Sequence, residues 1–88
     1  MPEKELKEAL DKLIEELRTI DQNDTESREM LKQLVESIEL KLNEPDNKEH
    51  HSQLLDKLKG ETVHFESKHP LISRTLEEIV AILVRLGI

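Results

Sequence analysis

The chain has 88 residues, of which 38% are charged, and it carries a formal net charge of −7. It contains no cysteine and only one residue of the Phe, Trp and Tyr group, so disulfides and thiolate metal sites are excluded and the core must consist almost wholly of Leu, Ile and Val. The acidic balance argues against nucleic acid and against an anionic membrane surface as partners, because both require a basic face on the protein.

Two further features of the chain concern its location. The first residues, MPEKELKEAL, lack the basic segment followed by an apolar segment that a secretory signal requires. The longest apolar run, residues 79–84, is far shorter than the roughly 20 apolar residues needed to span a bilayer. We therefore expect a single helical domain over residues 1–88, located in the cytoplasm and without a membrane partner.

The first segment carries apolar residues at spacings of 4, 3, 4 and 3, which is the heptad pattern of a helix that packs as in a coiled coil. These residues are Leu6, Leu10, Leu13, Leu17 and Ile20. The letters DQND then interrupt the pattern with residues that favour turns and helix caps. The spacing predicts a first helix over residues 3–20.

A second helix is predicted over residues 24–43. Asn23 is a candidate N-cap, because Glu26 follows it at the capping-box spacing. Pro45 disfavours helical geometry in the preceding residue, so the helix should end by that point. Leu40 falls on the face opposite the apolar stripe and has no role in a single hairpin. The stripe consists of Leu31, Val35, Ile38 and Leu42, with Leu34 alongside.

The next helix is predicted over residues 48–67, with Asp46 as its N-cap and Glu49 at the capping-box spacing. Its apolar side carries Leu54, Leu55, Leu58, Thr62 and Phe65. Pro70 ends this helix by about Lys68, and it can serve as the first residue of the next one.

The fourth helix is predicted over residues 70–86, and Gly87 is placed to cap its C-terminus. Its stripe consists of Ile72, Leu76, Ile79, Leu83 and Leu86. No segment alternates with the period of a strand, and the connections are short enough to make sequential helices antiparallel neighbours. The predicted class is therefore all-α, with four helices in two antiparallel helical hairpins that form a bundle.

The fourth helix is apolar over an unusually wide arc. At about 100° per residue, its apolar arc covers roughly 220°, against roughly 140° for the first helix. One antiparallel hairpin cannot cover so wide an arc, because the arc requires neighbours on two or three sides. The four helices of one chain are one way to supply them. The more economical prediction is a bundle completed by dimerisation, with this helix at or near a two-fold interface. The predicted interface residues are Leu71, Val80, Ile82, Val84 and Leu40, and the off-stripe Val63 fits the same idea.

Two Glu-x-x-His spacings lie close together in the third helix. Glu61 precedes His64 by three residues, and Glu66 precedes His69 by three. Di-iron carboxylate bundles use this Glu-x-x-His motif once on each of two separate helices. Here both copies occupy one short stretch, and His69 directly precedes a proline. Structural roles are therefore favoured, with no cofactor and no metal. A metal-binding bundle that uses these four residues is the alternative.

Other catalytic chemistry finds no support in the sequence. His51 lies beside the leucines of the third helix, which is typical of a packed residue at the edge of an apolar face. Ser52 follows it directly, and neighbouring residues on a helix do not face each other. The only glycines are Gly60 and Gly87, so no glycine-rich phosphate loop exists. We expect that the protein is not an enzyme.

The stretch EHHSQLLDKLKGETVHFESKHPLISRTLEEIVAILVRLGI resembles a family of small bacterial proteins, domain-of-unknown-function family 4404. Its recognisable pieces are HHS, then FE followed by HP, and the terminal GI. The letters ESREML, which open the second helix, are also similar. The resemblance implies a stand-alone helical protein and supplies no catalytic residue. It directs attention to FESKHP, where Phe65 would plug the junction of helices three and four, Pro70 would fix the corner and a Glu66–His69 contact would close it.

These features together predict a function without catalysis. A small acidic helical protein with one broad apolar helix is suited to self-association and to binding a further protein, by completing a bundle or by seating a helix in a groove. The expected assembly is a homodimer with an unidentified protein partner, and nucleic acid and membranes are not expected to bind.

Overall fold

The computed structural model describes residues 2–87, so the two ends of the predicted domain, Met1 and Ile88, lie outside the described residues. Its elements are α1 (Pro2–Leu17), α2 (Thr25–Asn43), α3 (Lys48–Lys68) and α4 (Pro70–Leu86). No strand occurs within residues 2–87. The predicted all-α class with four helices is confirmed.

The four helices form a closed square. Each packs against the next one along the chain, and α4 packs back against α1. The diagonal pairs, α1 with α3 and α2 with α4, lie farther apart, and no two of their Cα atoms come within 8 Å in the described part of the chain. Short connections make the neighbours antiparallel, which gives an up-and-down bundle of 37 × 21 × 18 Å. None of the helices in residues 2–87 combines the length and apolar character that crossing a bilayer requires.

The first helix ends earlier than its heptad pattern predicts. Regular α-helix stops at Leu17, and the N–H groups of the next three residues donate to carbonyls three positions back, at 3.0–3.3 Å. Such bonds tighten a terminal turn. Thr19 reinforces it, because its hydroxyl donates to the carbonyl of Glu16 at 2.6 Å. Ile20 is nevertheless buried in the core, so the apolar pattern continues for one turn beyond the end of the regular helix.

The helix caps differ from the prediction by one residue at two places. Asp24, not Asn23, caps α2, and its carboxylate accepts from the amide three positions later at 3.2 Å. Asn47, not Asp46, caps α3 in the same way at 3.0 Å. In each turn two neighbouring residues have side chains suited to capping, and the backbone path selects the second. The predicted cap at Gly87 is confirmed by its left-handed φ of 68°.

The core runs along the centre of the bundle. Its buried apolar residues are Leu6, Ala9, Leu10, Leu13, Ile20, Leu31, Leu34, Ile38, Leu54, Leu58, Phe65, Ile72, Leu76, Ile79, Ile82 and Leu83. The buried stripe of α2 is rotated relative to the prediction, so that Val35 and Leu42 are half-buried. That stripe consists of Ser27, Leu31, Leu34, Ile38 and Lys41, at spacings of 4, 3, 4 and 3.

The wide apolar arc of α4 is largely covered inside one chain. Because α4 packs against α1 on one side and α3 on the other, Ile82 is only 2% exposed and is not available as an interface residue. Val80 is half-buried, whereas Leu71 and Val84 are exposed. Leu40 is exposed on α2, which lies diagonally across the bundle from α4. The five predicted interface residues therefore do not form one continuous surface.

Candidate functional site

The densest group of polar contacts lies where the start of α2 meets the junction of α3 and α4. The Asp24 carboxylate accepts a hydrogen bond from Nε2 of His69 at 3.1 Å. Ser27 Oγ and His64 Nε2 share a second hydrogen bond of 3.1 Å, whose donor depends on the histidine tautomer. We call these four residues, with Phe65 between the two imidazoles, the histidine corner. It joins chain segments that are 37 and 45 residues apart.

The local sequence explains why His69 reaches α2. Pro70 is the first residue of α4, and His69 before it adopts φ −139° and ψ 73°, outside helical geometry. The His69 amide still donates to the Phe65 carbonyl at 2.7 Å and closes α3. Its ring makes no cap bond to α4 and extends to Asp24 instead. The predicted closing contact with Glu66 is not formed, because the exposed Glu66 lies on another face of α3.

Phe65 fills the junction as predicted and is fully buried. The His64 ring meets it edge-on, with centroids 5.1 Å apart and planes at 87°. The His69 ring lies 5.9 Å away at 49°. Edge-to-face and tilted contacts of this kind are favourable for aromatic rings. The apolar plug and the two polar bonds therefore hold one another in place.

Ser27, His64 and Glu26 follow one another in space in the order of a catalytic triad, but they lack the access and the geometry of one. Ser27 is fully buried, and no substrate can reach its hydroxyl in this structure. The third contact, from His64 Nδ1 to a Glu26 carboxylate oxygen, is 3.9 Å long, beyond hydrogen-bond distance. The group therefore fits a structural clasp at the start of α2 rather than acyl transfer.

The four candidate metal ligands are not brought together. His64 and His69 are bonded to Ser27 and Asp24 respectively, and Glu66 is exposed. Glu61 turns inward, and one of its carboxylate oxygens is buried without a hydrogen-bond partner.

The environment of Glu61 is that of a lone inward carboxylate. Burial raises its pKa, against the attraction of Lys57 and His64. Within residues 2–87, no group of three or more His, Asp or Glu side chains is arranged to hold a metal ion. The metal-binding alternative therefore has no ligand set in this part of the chain.

A buried lysine was not foreseen from the sequence. Lys41 is 1% exposed, and its Nζ donates to the Pro45 carbonyl at 2.8 Å. The available signal was its position seven residues after Leu34, which places it on the buried stripe of α2. Lysine is almost never fully buried, so the residue type argues against a core position that the spacing favours.

The outer side of α3 and α4 carries a shallow groove. It has a volume of about 220 Å³ and is lined by Lys59, Thr62, Glu77 and Val80. Val63, which is 70% exposed, follows Lys59 by four residues, and Val84, which is 59% exposed, follows Val80 by four. Residues four apart share one helix face. Val80 lines the groove, and Val63 and Val84 lie one turn beyond lining residues of α3 and α4 respectively. We call Val63, Val80 and Val84 the valine face.

The acid sensitivity of the histidine corner is testable. The pKa of Asp24 is lowered from 3.8 to about 2, most strongly by the hydrogen bond from His69 and next by those from Ser27. A carboxyl group whose pKa is lower in the folded than in the unfolded chain stabilises the fold at pH values above its unfolded pKa. This contribution is lost as pH falls from about 4 through about 2. We expect Asp24→Asn to lower the urea midpoint at neutral pH and to flatten its fall across this acid window.

The matched control for this measurement is Asp56→Asn, which changes an exposed aspartate of α3. It should retain the acid dependence of the unmodified protein, because Asp56 has no comparable partner. Equal acid dependence in the Asp24 and Asp56 variants would contradict a special role for the Asp24–His69 bond.

Comparison with known proteins gives one match. Residues 6–88 match the family model described as "Domain of unknown function (DUF4404)". The matched region includes HHS and FESKHP, two of the segments that carry the resemblance noted in the sequence. No curated protein and no solved structure matches the chain. The matched model assigns no activity or ligand, so a function must be argued from the structure.

Proposed function

The chain belongs to the DUF4404 family, and we propose that it is a non-enzymatic protein–protein interaction module that binds a second copy of itself through the valine face. One observation carries the proposal. The bundle completes its core within one chain, yet Val63 and Val84 remain largely exposed on neighbouring helices. Neighbouring exposed aliphatic side chains, unlike single ones, are typical of interaction surfaces.

The shape of the valine face suits a helical partner. Thr62 lines the groove on α3 and Val80 lines it on α4. Val63 is the neighbour of Thr62 along α3, and Val84 lies four residues after Val80, about 6 Å further along α4. A groove between two antiparallel helices accepts side chains of a third helix at the same spacing.

Charge favours a second copy of the chain as the occupant. The groove carries Lys59 on its α3 wall and Glu77 on its α4 wall. A two-fold axis that runs along the groove places α3 of one chain over α4 of the other, so that each Lys59 faces a Glu77 across the interface. This arrangement pairs opposite charges at the contact, although each chain has a net charge of −7.

Light scattering at several protein concentrations tests the proposal, with Val84→Glu as the disrupting variant. The unmodified protein is expected to be a dimer at high micromolar concentration. Burying an unpaired carboxylate costs about 3 kcal/mol or more, so the dissociation constant should rise about 100-fold or more. Far-UV circular dichroism should stay unchanged, because Val84 is exposed in the single chain.

Leu71→Glu is the matched control. Leu71 is an exposed aliphatic residue of the same helix, but it lines a different cleft, with Glu16 of α1. This variant should remain dimeric. A protein that stays monomeric at high micromolar concentration, or equal weakening by both variants, would overturn the proposal.

A further inference from the structure

Two basic side chains are buried at the end of the bundle opposite the histidine corner, where α2 turns into α3. Lys41 near the end of α2 is 1% exposed, and His51 near the start of α3 is 3% exposed. We call them the buried basic pair. Each terminates the buried stripe of its helix, so the pair closes the core at this end of the α2–α3 hairpin.

The surroundings of the pair accommodate one positive charge. Lys41 Nζ donates to the Pro45 carbonyl in the turn at 2.8 Å, near the negative end of the α2 dipole. His51 has no such acceptor, because its Nδ1 is buried and has no hydrogen-bond partner. A neutral imidazole can leave this nitrogen as an unused acceptor, whereas a protonated ring would place an N–H there with nothing to receive it.

The charged groups around the pair come from three parts of the chain. Asp46 in the turn and Glu3 of α1 act on Lys41, and His50 acts on His51 from the same helix. Burial lowers the pKa of Lys41 against the attraction of Asp46 and Glu3. The pKa of His51 is lowered from 6.5, mainly by burial and to a smaller extent by the charges of Lys41 and His50, in that order. Both carboxylates are exposed, so neither neutralises the pair inside the core.

We propose that the buried basic pair makes the α2–α3 turn sensitive to acid, because a proton bound by His51 places a second positive charge beside Lys41 in the closed core. This strains the contacts that close the hairpin, including the bond from Lys41 to Pro45, and loosens this end of the bundle. The opposite end, held by the histidine corner, keeps its contacts.

The sign of the effect follows from proton linkage. Because the folded-state pKa of His51 lies below its ordinary value of 6.5, the unfolded chain binds more protons at mildly acidic pH. The contribution of His51 to stability is complete above about pH 6.5, and it is lost as pH falls below that value. Glu61 acts in the opposite direction, because its raised pKa makes acid stabilise the folded chain.

Urea unfolding at one fixed protein concentration, between about pH 8 and pH 5, tests the proposal. The midpoint of the unmodified protein should fall towards acid, and in His51→Gln this fall should shrink by more than half. His64→Gln is the control, since His64 lies in the histidine corner at the other end, and it should keep the full fall. The same pH dependence in His51→Gln as in the unmodified protein, whether flat or falling, would overturn the proposal.

A second measurement addresses the pairing of the two charges and does not require His51→Gln to fold. Nuclear magnetic resonance can follow the titration of the His51 ring in the unmodified protein and in Lys41→Met. The ring should titrate below free histidine, and its midpoint should move up when Lys41 is replaced. A midpoint at or above that of free histidine, or one that Lys41→Met does not move, would exclude the inferred coupling.

Discussion

Phe65→Ala is expected to lower the free energy of unfolding by about 3–5 kcal/mol, the usual range for removing a buried phenylalanine. A chain of 88 residues has a total stability of about 4–13 kcal/mol, so this loss is about a quarter of the total or more. The effect lies at the high end because Phe65 is fully buried and contacts both imidazoles of the histidine corner. Its removal leaves a cavity between rings that are also held by polar bonds to α2.

Urea denaturation followed by far-UV circular dichroism measures this loss, with Val63→Ala as the matched control. Val63 lies two residues earlier on the same helix and is exposed, so its truncation should change stability by about 0.5 kcal/mol or less. Both substitutions lie within α3, so differences in helix propensity stay small beside the cavity effect. A loss below about 2 kcal/mol for Phe65→Ala would show that the junction repacks around the missing ring.

The helices could be read from the sequence because heptad spacing reports the buried face directly. Apolar residues at spacings of 4, 3 and 4 located the first, second and fourth helices, a less regular apolar side located the third, and Pro45 and Pro70 marked two of the boundaries. The N-caps could not be placed to the residue, since Asn23 and Asp24 are both good caps and only the path of the turn distinguishes them. Boundaries depend on such local competition, whereas buried faces depend on many residues at once.

The histidine corner was predictable in part. The corner at His69–Pro70 followed from the sequence, because a proline ends one helix and begins the next, and the family resemblance directed attention to Phe65. The partners of the two histidines did not, because Asp24 and Ser27 lie 45 and 37 positions away from them. Contacts over such separations depend on the relative placement of helices, and no spacing rule for one helix contains that information.

The width of an apolar arc shows how many neighbours a helix has, but it does not show which chain supplies them. The arc of α4 correctly indicated contacts on two sides. Those two sides are occupied by α1 and α3 of the same chain, which explains why Ile82 is buried. Val84 lies outside both contacts and remains exposed. Dimerisation therefore has to be judged on the residues left exposed after the single chain has folded.

Ile82 and Val84 thus provide a direct comparison of a core residue and a proposed interface residue on one helix. Ile82 is buried at the α1–α4 groove, beneath the ion pairs that join Lys12 to Glu78 at 3.8 Å and Arg85 to Glu5 at 3.2 Å. All of these neighbours belong to the same chain. Truncation of Ile82 should therefore weaken each protomer itself, whatever its oligomeric state.

Ile82→Ala is expected to lower the free energy of unfolding by about 2–5 kcal/mol, as for other buried isoleucines. The loss should be the same at low and high protein concentration, because no part of the cavity is filled by a second chain. Val84→Ala should cost about 0.5 kcal/mol or less in the monomer, and any larger loss should appear only at concentrations where the dimer forms, since association stabilises by mass action. Urea unfolding of both variants over a hundredfold range of concentration makes the comparison. If the loss from Ile82→Ala stays below about 1 kcal/mol or changes with concentration, Ile82 belongs to an interface and not to the core of the single chain.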